Sequence, residues 1–425
     1  MENKDRWLKL DNAGKIFPYV SKKSFANVFR VSFYLKETIN PEVLQNAVDD
    51  LKYRFPTFFV KMRTGIFWYY YELNERKFEV KKEHAFLCSY KSKNKNNGYL
   101  LDIFYYQNRI SIEVFHAISD ATGALELGKA VVYRYLELIG YQMEDELNEV
   151  IKVGSEPKIS ESVDSFFDNY NGEKLDRFKA PKAYIIKGTK FFAPGNGLIV
   201  GRVNSIDLKN LAKKYDCTVT QFISAVMLRS IYLYMKRHQV KNDKPLSIVL
   251  PVNIRKYYNS ETLRNFALYI YLIQQVKPNL EFNDFIESIK SCYDEQLNIE
   301  SLQATLNANM QIESSYALKL CPLFLKILAC KIGYNKIAGG LSTISLSNIG
   351  IVNTPKSMEE YVDNVEFIAA GASTTHSCCV ASFNNVTKIS VTRIFQELDI
   401  EREFFKFLSQ LGLEVIVSSN LWEEN

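Results

Sequence analysis

The stretch Ile110-Ser-Ile-Glu-Val-Phe-His-Ala-Ile-Ser-Asp-Ala-Thr-Gly123 joins a strand pattern to the start of a helix. Apolar residues alternate from Ile110 to Val114, and the same alternation places His116 on their face where the strand ends. A neutral imidazole in that position can face a cleft and accept a proton near neutral pH. Asp120 follows four residues later, where the chain turns into the helix. The pattern therefore makes His116 the candidate proton-transfer residue.

Three roles are open to Asp120 in this pattern: it braces the turn, pairs with an arginine, or orients the histidine loop. The spacing is also typical of a core histidine beside an aspartate that caps a helix, and this is the more common situation for so short a match. An i, i+4 metal pair is disfavoured because nothing supplies the remaining ligands. The chain has only four histidines and no Cys/His spacing that resembles zinc ligation, so no metal site is predicted.

The first part of the chain predicts mixed α and β structure with antiparallel strand pairs. A strand is expected at Phe29–Leu35, followed by a helix that Asn40 caps. The β-rich runs Leu100–Tyr106 and Ile110–Phe115 predict a hairpin. A helix should follow from about Thr122 to Ile139.

The second part has a similar mixture. Strands are predicted at Leu198–Val203 and Leu246–Val252, and Thr218–Gln221 has the pattern of a capping box that begins a helix. Asn384–Asn385 predicts a hairpin turn. Asp399 is predicted to cap the last helix.

Between these parts the periodic pattern weakens, from Gly140 to Gly197, and acidic residues and prolines interrupt it. We therefore predict two lobes, residues 1–180 and 198–425, joined by a linker over residues 181–197. No short-period repeat that would indicate a solenoid is present.

Composition narrows the functional classes. The 425 residues are 47% hydrophobic, 24% charged and 13% aromatic, as in a globular protein and unlike a disordered one. Lys and Arg number 53 against 48 Asp and Glu, and this net charge of +5 is too small to indicate nucleic-acid binding.

The most apolar stretch, Ala317–Ala338, is interrupted by four lysines, so no membrane span is expected. Seven cysteines without a CxxC pair and an N-terminus without a secretory signal favour the cytoplasm.

Residues 115–121, FHAISDA, resemble the HHxxxDG signature of an acyltransferase superfamily. That superfamily includes chloramphenicol acetyltransferase, peptide-synthetase condensation domains, BAHD-type plant acyltransferases and alcohol acetyltransferases. His116 matches the second, catalytic histidine of the signature, and Asp120 matches its structural aspartate. Phe115 replaces the first histidine, which does not transfer protons in this superfamily, and Ala121 replaces the glycine.

The resemblance covers most of the chain in the same order and is nearest to bacterial alcohol acetyltransferase-like proteins. The matching stretches are WLKLDNAGKIFP (7–18), KNLAKKYDCTVTQFISA (209–225), PVNIRK (251–256), TLRNFA (262–267) and LSNIGI (346–351). The resemblance implies an α/β fold of two chloramphenicol acetyltransferase-like lobes, each with a mixed sheet, and an active-site tunnel between them.

Roles for individual residues follow from the resemblance. His116 would act as general base on an alcohol or amine acceptor, and Asp120 would hold the loop through an ion pair. Arg255 is the candidate partner for Asp120, although a solvated charge at a strand end explains it equally well. Ser347, Asn348 and Gly350 resemble a strand end that lines the tunnel and contacts substrate; a tight strand turn is the more common explanation of such residues.

Three functions remain open at this point. The first is acyl transfer from acyl-CoA to a small-molecule alcohol or amine by a monomer that holds no permanently bound cofactor. The second is a condensation-like reaction, in which the donor is a phosphopantetheinyl thioester on an acyl carrier protein. The third is a catalytically degenerate binding platform of the same fold, which the changes at Phe115 and Ala121 keep open.

Overall fold

The computed structural model describes residues 7–22, 25–84, 86–91, 96–191, 196–337, 340–370 and 374–420, with the backbone alone described for 331–337. The strands are β1 (Trp7–Lys9), β2 (Val28–Leu35), β3 (Val60–Thr64), β4 (Tyr69–Leu73), β5 (Lys81–Lys82), β6 (Leu101–Tyr106), β7 (Arg109–Phe115), β8 (Gly197–Asn204), β9 (Leu246–Asn253), β10 (Ala267–Gln274), β11 (Ile344–Ile351), β12 (Val362–Ala370), β13 (His376–Phe383), β14 (Val386–Arg393) and β15 (Ile416–Ser419). The helices are α1 (Phe17–Val20), α2 (Pro41–Leu51), α3 (Ala121–Leu138), α4 (Ser165–Asp168), α5 (Ser205–Lys214), α6 (Val219–Arg237), α7 (Arg255–Tyr258), α8 (Phe282–Gln296), α9 (Ile299–Ser314), α10 (Tyr316–Leu320), α11 (Leu323–Ile337), α12 (Lys356–Glu359) and α13 (Asp399–Gln410).

One main sheet has five strands in the order β12-β2-β7-β6-β5. The predicted strand before Asn40 is confirmed as β2, and the predicted hairpin is confirmed as the antiparallel pair β6 and β7. Asn40 caps α2 as predicted, since its side-chain oxygen accepts hydrogen bonds from the backbone N–H groups of Glu42 and Val43. Helices α2 and α3 pack together, and α3 lies on β2 and β7. These contacts fix the strand end from which His116 follows.

The other main sheet has seven strands in the order β10-β9-β11-β13-β14-β8-β15. The predicted strands after Gly197 and before Asn253 are confirmed as β8 and β9, and Thr218 forms the predicted capping box at the start of α6. The turn between β13 and β14 is also as predicted: Asn384 and Asn385 have φ values of 44° and 60°. Two consecutive positive φ values are typical of the hairpin turn that asparagine tolerates.

The predicted cap of the last helix is wrong. Helix α13 begins at Asp399, but its N-cap residue is Leu398 and no side chain caps it. The Asp399 carboxylate lies 3.9 Å from both Arg237 and His238 at the end of α6. The aspartate therefore adds negative charge to the first turn of α13, where the helix dipole favours it, without capping a backbone N–H.

Strand β12 crosses between the two parts of the chain. By sequence it belongs to the second part, yet it pairs antiparallel with β2, with Val365 opposite Phe33 and Ala370 opposite Val28. The same strand also contacts β13 and β14 of the seven-stranded sheet. The lobe predicted over residues 198–425 thus contributes one strand to the sheet of the other lobe. The boundaries of the predicted linker stay a prediction, and its residues 192–195 lie outside the described part of the chain.

Charged side chains pair within the five-stranded sheet. Arg30 donates hydrogen bonds to Glu113 Oε1 at 2.8 and 3.1 Å, and the Lys91 ammonium donates to Glu113 Oε2 at 2.8 Å. Lys91 also pairs with Asp102. Burial raises the pKa of Glu113, but the charges of Lys91 and Arg30 outweigh it and lower the pKa to about 2. Glu113 is therefore ionised in the folded protein over most of the accessible pH range.

Glu113→Gln is expected to lower the free energy of unfolding by about 1–3 kcal/mol, because it removes the anion that two buried cations share. The loss is limited because Arg30 keeps its pairing with Glu83 and Lys91 keeps its pairing with Asp102. In the wild type this contribution is present above the ordinary carboxyl pKa of 4.5 and is lost as the pH falls towards 2. Denaturant unfolding at neutral and acidic pH measures both effects. Glu72→Gln is the control, since Glu72 pairs with Lys61 and Arg63 on a partly exposed surface. A loss no larger than in this control would contradict the expectation.

Candidate active site

His116 lies where β7 ends and the chain turns towards α3. Its backbone N–H donates to the carbonyl of Asn27 at 2.9 Å, which continues the pairing with the neighbouring segment. The imidazole stacks on Phe17, with ring centroids 4.5 Å apart and an interplanar angle of 18°. The Phe29 ring contacts it edge-on at 5.1 Å. Two aromatic rings therefore fix the plane of a half-buried imidazole.

The side chain of Asn265 determines which nitrogen of His116 carries the proton. His116 Nδ1 lies 3.0 Å from Asn265 Oδ1. The amide nitrogen of Asn265 faces two acceptors, Asp11 Oδ2 at 3.3 Å and the Ala117 carbonyl at 3.4 Å. Since those acceptors require the NH₂ group, the amide oxygen must point at Nδ1. This network assigns the proton to Nδ1 and leaves the lone pair of Nε2 available.

The surroundings of His116 also favour its neutral form. Burial lowers the pKa of the imidazole below the ordinary value of 6.5, and the nearby Asp120 carboxylate offsets part of that effect. A pKa below 6.5 means that the ring is mostly neutral at pH 7. His116 is thus in the protonation state that a base requires.

Asp120 and Arg255 form a buried, bidentate ion pair. Arg255 donates to the two carboxylate oxygens of Asp120 at 2.9 and 3.0 Å. Its Nε donates to the carbonyl of Thr262 at 2.8 Å, and the Asn253 side chain accepts another bond at 3.2 Å. The pairing that the resemblance implied is present in the structure, and it joins the two parts of the chain.

The Asp120 carboxylate is fully occupied by protein donors. Besides Arg255, it accepts from the backbone N–H groups of Thr122 at 3.1 Å and Gly123 at 3.2 Å, which makes it the N-cap of α3. It also accepts from the N–H of Phe266 at 2.9 Å. A carboxylate with this many donors has no free oxygen to aim at a substrate. Asp120 therefore holds the start of α3 against the segment around residue 264.

Gly123 allows that close contact. A Cβ atom at this position would lie 2.0 Å from the carbonyl oxygen of Leu263 and 2.3 Å from Ser119 Oγ. The backbone of α3 therefore approaches the second part of the chain where a side chain could not fit. Position 123 is therefore the one that requires glycine. Ala121, in contrast, is the first residue of the helix and is only half-buried.

Neither known protein families nor curated proteins match this sequence. Solved structures do match over nearly the whole chain. Polyketide synthase associated protein 5 from Mycobacterium tuberculosis has a TM-score of 0.62 at 13% identity, covering 97% of this chain and 99% of that chain. Trichothecene 15-O-acetyltransferase from Fusarium sporotrichioides has a TM-score of 0.61 at 12% identity, covering 97% and 96%. The starter condensation domain of rhizomide synthetase, solved with C8-CoA, has a TM-score of 0.61 at 10% identity, covering 97% and 98%.

The chain has the condensation-domain fold. The expected fold class is therefore confirmed: mixed α/β structure in two lobes, each built on one of the two main sheets. His116 extends from the sheet of one lobe, and its partner Asn265 belongs to the other part of the chain, next to β10. Within this fold the candidate site thus lies where the lobes meet.

Side-chain hydrogen bonds and a register shift shape the strand end at Ser347, Asn348 and Gly350. Asn348 donates to Thr220 Oγ1 at 2.9 Å, and its side-chain oxygen accepts from the N–H of Gly350 at 2.8 Å. Gly350 has a φ of 75°, and the pairing of β11 with β13 shifts register here. Among the described residues, no hydrogen bond or ring contact joins these three residues to His116. Their role in substrate binding stays a prediction.

Sequence reasoning missed Asp11, Asn265 and Phe17. Asp11 is fully buried, accepts from the Gly14 N–H at 2.6 Å and lies 3.4 Å from Arg264. Burial raises the pKa of its carboxyl, and the charge of Arg264 offsets part of that rise. All three missed residues lie in stretches that carry the resemblance, but nothing in their spacing relates them to His116. Only the fold brings them to the histidine.

The tunnel implied by the resemblance also stays a prediction. Two cavities in the described part of the chain lie elsewhere. One is bordered by Arg54, Pro157 and Leu263, among others, and the other by Tyr234, His376 and Phe395. His116 lines neither of them.

Proposed function

We propose that this protein transfers an acyl group from an acyl thioester to an alcohol or amine, with His116 as the general base. The observation that carries the proposal is the 3.0 Å contact between His116 Nδ1 and Asn265 Oδ1, which leaves Nε2 as the free basic atom. The condensation-domain fold supports the class of reaction, since an acetyltransferase shares it. The lowered pKa of His116 suits a base that must be neutral at pH 7.

In the proposed reaction His116 first accepts a proton and later donates the same proton. Nε2 of His116 takes the proton of the acceptor O–H or N–H while the acceptor atom attacks the thioester carbonyl carbon. A C–O or C–N bond forms, the C–S bond breaks, and the imidazolium gives the proton to the departing thiolate. A general base of this kind contributes a rate factor of about 10²–10⁴. Positioning of the two substrates and stabilisation of the oxyanion supply the rest of the rate enhancement.

We assign the donor to the acyl-CoA class. The rhizomide synthetase starter condensation domain, which has the same fold, was solved with C8-CoA bound, and this supports a CoA thioester as the donor. The half-buried strand end at Ser347, Asn348 and Gly350 is our candidate for contacts with the acyl donor. Asp120 and Arg255 act as positioning residues that hold the histidine loop.

A thiol-release assay tests the proposal. Purified protein is incubated with acyl-CoAs of increasing chain length and with a panel of alcohols and amines, and free CoA thiol and acylated product are both measured. The proposal expects CoA release that depends on an acceptor and matches the product formed. Release at the same rate without any acceptor would indicate a thioesterase instead and contradict it.

A binding platform without catalysis is the alternative that the altered signature favours. Phe115 stands where the superfamily has its first histidine, and its side chain is buried in the core of the first lobe. That position therefore has no polar group to offer a substrate. Protein that is inert over the whole panel, with donors on acyl carrier protein included, would favour this alternative.

Asn265→Leu is expected to lower kcat by about 10-fold or more, because the imidazole loses the acceptor that holds its proton on Nδ1. ¹⁵N NMR of the histidine ring nitrogens gives a readout that a purely structural role would not move. In the wild type we expect the Nδ1–H tautomer of His116, and in the variant a mixture of both tautomers. Wild-type protein with the proton on Nε2 would contradict the assignment. His84, which is exposed, provides an internal reference in the same spectrum.

A further inference from the structure

Asp11 reaches His116 through the side chain of Asn265. The amide oxygen of Asn265 faces His116 Nδ1 at 3.0 Å, and its amide nitrogen lies 3.3 Å from Asp11 Oδ2. Asp11 and Asn265 are 0% and 2% exposed, so water does not compete for these contacts. A buried carboxylate, an amide and the imidazole thus form one chain, and its three members come from segments far apart in the sequence.

The Asp11 carboxylate is surrounded by donors. Its Oδ1 accepts from the Gly14 N–H at 2.6 Å, and its Oδ2 faces the Asn265 amide nitrogen and lies 3.4 Å from Arg264 Nε. Burial raises the pKa of the Asp11 carboxyl, and the Arg264 charge and the Gly14 hydrogen bond offset part of that rise. Because both oxygens face donors, these neighbours favour the carboxylate over the protonated acid.

Asp11 is the principal acceptor for the NH₂ group of Asn265. The other acceptor, the Ala117 carbonyl, lies 3.4 Å away and already accepts the Tyr71 hydroxyl at 2.6 Å. A hydrogen bond to a charged oxygen is stronger than one to a neutral carbonyl. The turn that carries Asp11 is also held against the histidine loop, since a Cβ atom at Gly14 would lie 2.4 Å from the Ala117 oxygen.

The negative charge of Asp11 distinguishes the two orientations of the Asn265 amide. In the observed orientation the NH₂ group faces the carboxylate, and the amide oxygen accepts from Nδ1 of His116. In the reverse orientation two acceptor oxygens would face each other without a proton between them. The NH₂ group would then donate to Nδ1, which would place the imidazole proton on Nε2.

We propose that Asp11 is a positioning residue that selects the tautomer of His116. By holding the NH₂ group of Asn265, it keeps the imidazole proton on Nδ1 and leaves Nε2 free to act as the base. The inference rests on the proposed acyl transfer, because a free Nε2 is useful only to a base. The tautomer itself can be measured without any substrate.

Asp11→Asn tests the proposal with almost no change of shape. The Gly14 N–H needs an acceptor, so the amide oxygen of the variant should take the place of Oδ1 and its NH₂ group that of Oδ2. Two NH₂ groups would then face each other, and Asn265 can avoid this by reversing its amide. ¹⁵N NMR of the ring nitrogens should show the proton of His116 on Nδ1 in the wild type and on Nε2 in a large part of the variant molecules. The kcat for thiol release should fall by about 10-fold or more.

Exchanging the two side chains should restore the wild-type tautomer. In the double variant Asp11→Asn with Asn265→Asp, the carboxylate at position 265 can accept from Nδ1 with one oxygen and from the new amide with the other. Asp164→Asn is the matched control. Asp164 interacts electrostatically with Asp11 and Arg264, but its carboxylate accepts from the backbone N–H groups of Asn12 and Phe166. This control should keep the proton of His116 on Nδ1.

The same spectra name the results that would overturn the proposal. They are a wild-type proton on Nε2, an unchanged tautomer in Asp11→Asn, and an equal change in Asp164→Asn. If Asp11→Asn does not fold, the double variant decides: Nδ1–H supports the proposal and Nε2–H overturns it. A double variant that also fails to fold would assign Asp11 a purely structural role and overturn it. Wild-type protein with the expected tautomer but no thiol release would contradict the proposed acyl transfer alone.

Discussion

His116→Ala is expected to reduce acceptor-dependent thiol release by at least about 10²-fold for any donor and acceptor pair that the wild type accepts. The reason is that the Asp120 carboxylate, four residues further along the same loop, cannot take the place of Nε2, because it is occupied by Arg255 and by backbone donors. Donor binding should stay within a few-fold, because the imidazole acts on the acceptor proton. Steady-state kinetics and direct titration of acyl-CoA separate the two effects.

His238→Ala is the control for this experiment. His238 is the C-cap residue of α6, and its partly exposed side chain has Nε2 3.9 Å from Asp399. It is more than 100 residues from His116 in the sequence, and none of its described contacts involves the candidate site. Its replacement should leave thiol release unchanged. The His116→Ala protein should keep its fold, since the ring is half-buried and contributes a single side-chain hydrogen bond. A fully active His116→Ala enzyme would refute the mechanism.

Asp120→Asn is expected to lower the free energy of unfolding by about 3–5 kcal/mol, because it leaves the buried Arg255 without its anion. Thiol release should fall as well, since Asp120 caps α3 and holds the loop that carries His116. Arg255→Ala should behave in the same way, with the uncompensated charge on the aspartate. Thermal unfolding and kinetics on the same preparations measure both consequences.

Asp216→Asn offers a matched control for the ion pair. Asp216 pairs with Lys290 at 2.6 Å, but its side chain is almost fully exposed, so its loss should change neither stability nor activity. Full stability of Asp120→Asn, combined with a loss of activity as large as in His116→Ala, would show instead that the carboxylate takes part in the chemistry directly.

Local patterns were sufficient for several elements of the fold. The β2 strand, the Asn40 cap, the β6–β7 hairpin and the Asn384–Asn385 turn all arise from residues within a few positions of one another, and each was predicted. The wrong prediction at Asp399 also came from a local pattern. An aspartate at a helix start is usually a cap, but here Arg237 and His238, far away in the sequence, lie near its carboxylate.

Features that depend on distant parts of the chain could not be predicted from spacing. Strand β12 pairs with β2 across more than 300 positions, and nothing in its own residues specifies that partner. Asn265 and Asp11 meet His116 only because three separate segments converge on one loop. The Arg255 pairing was predictable because the resemblance related two motifs that the residues alone did not connect.

The dependence of kcat/KM on pH tests the central claim most directly, because it reports the protonation of the free enzyme. A general base is active when neutral, so kcat/KM should fall as the pH drops through the pKa of His116. Burial lowers that pKa, and the account therefore predicts a midpoint below 6.5 in the wild type, with this limb missing from any residual activity of His116→Ala. A midpoint above 6.5, or the same limb in the variant, would contradict the assignment of His116 as the base.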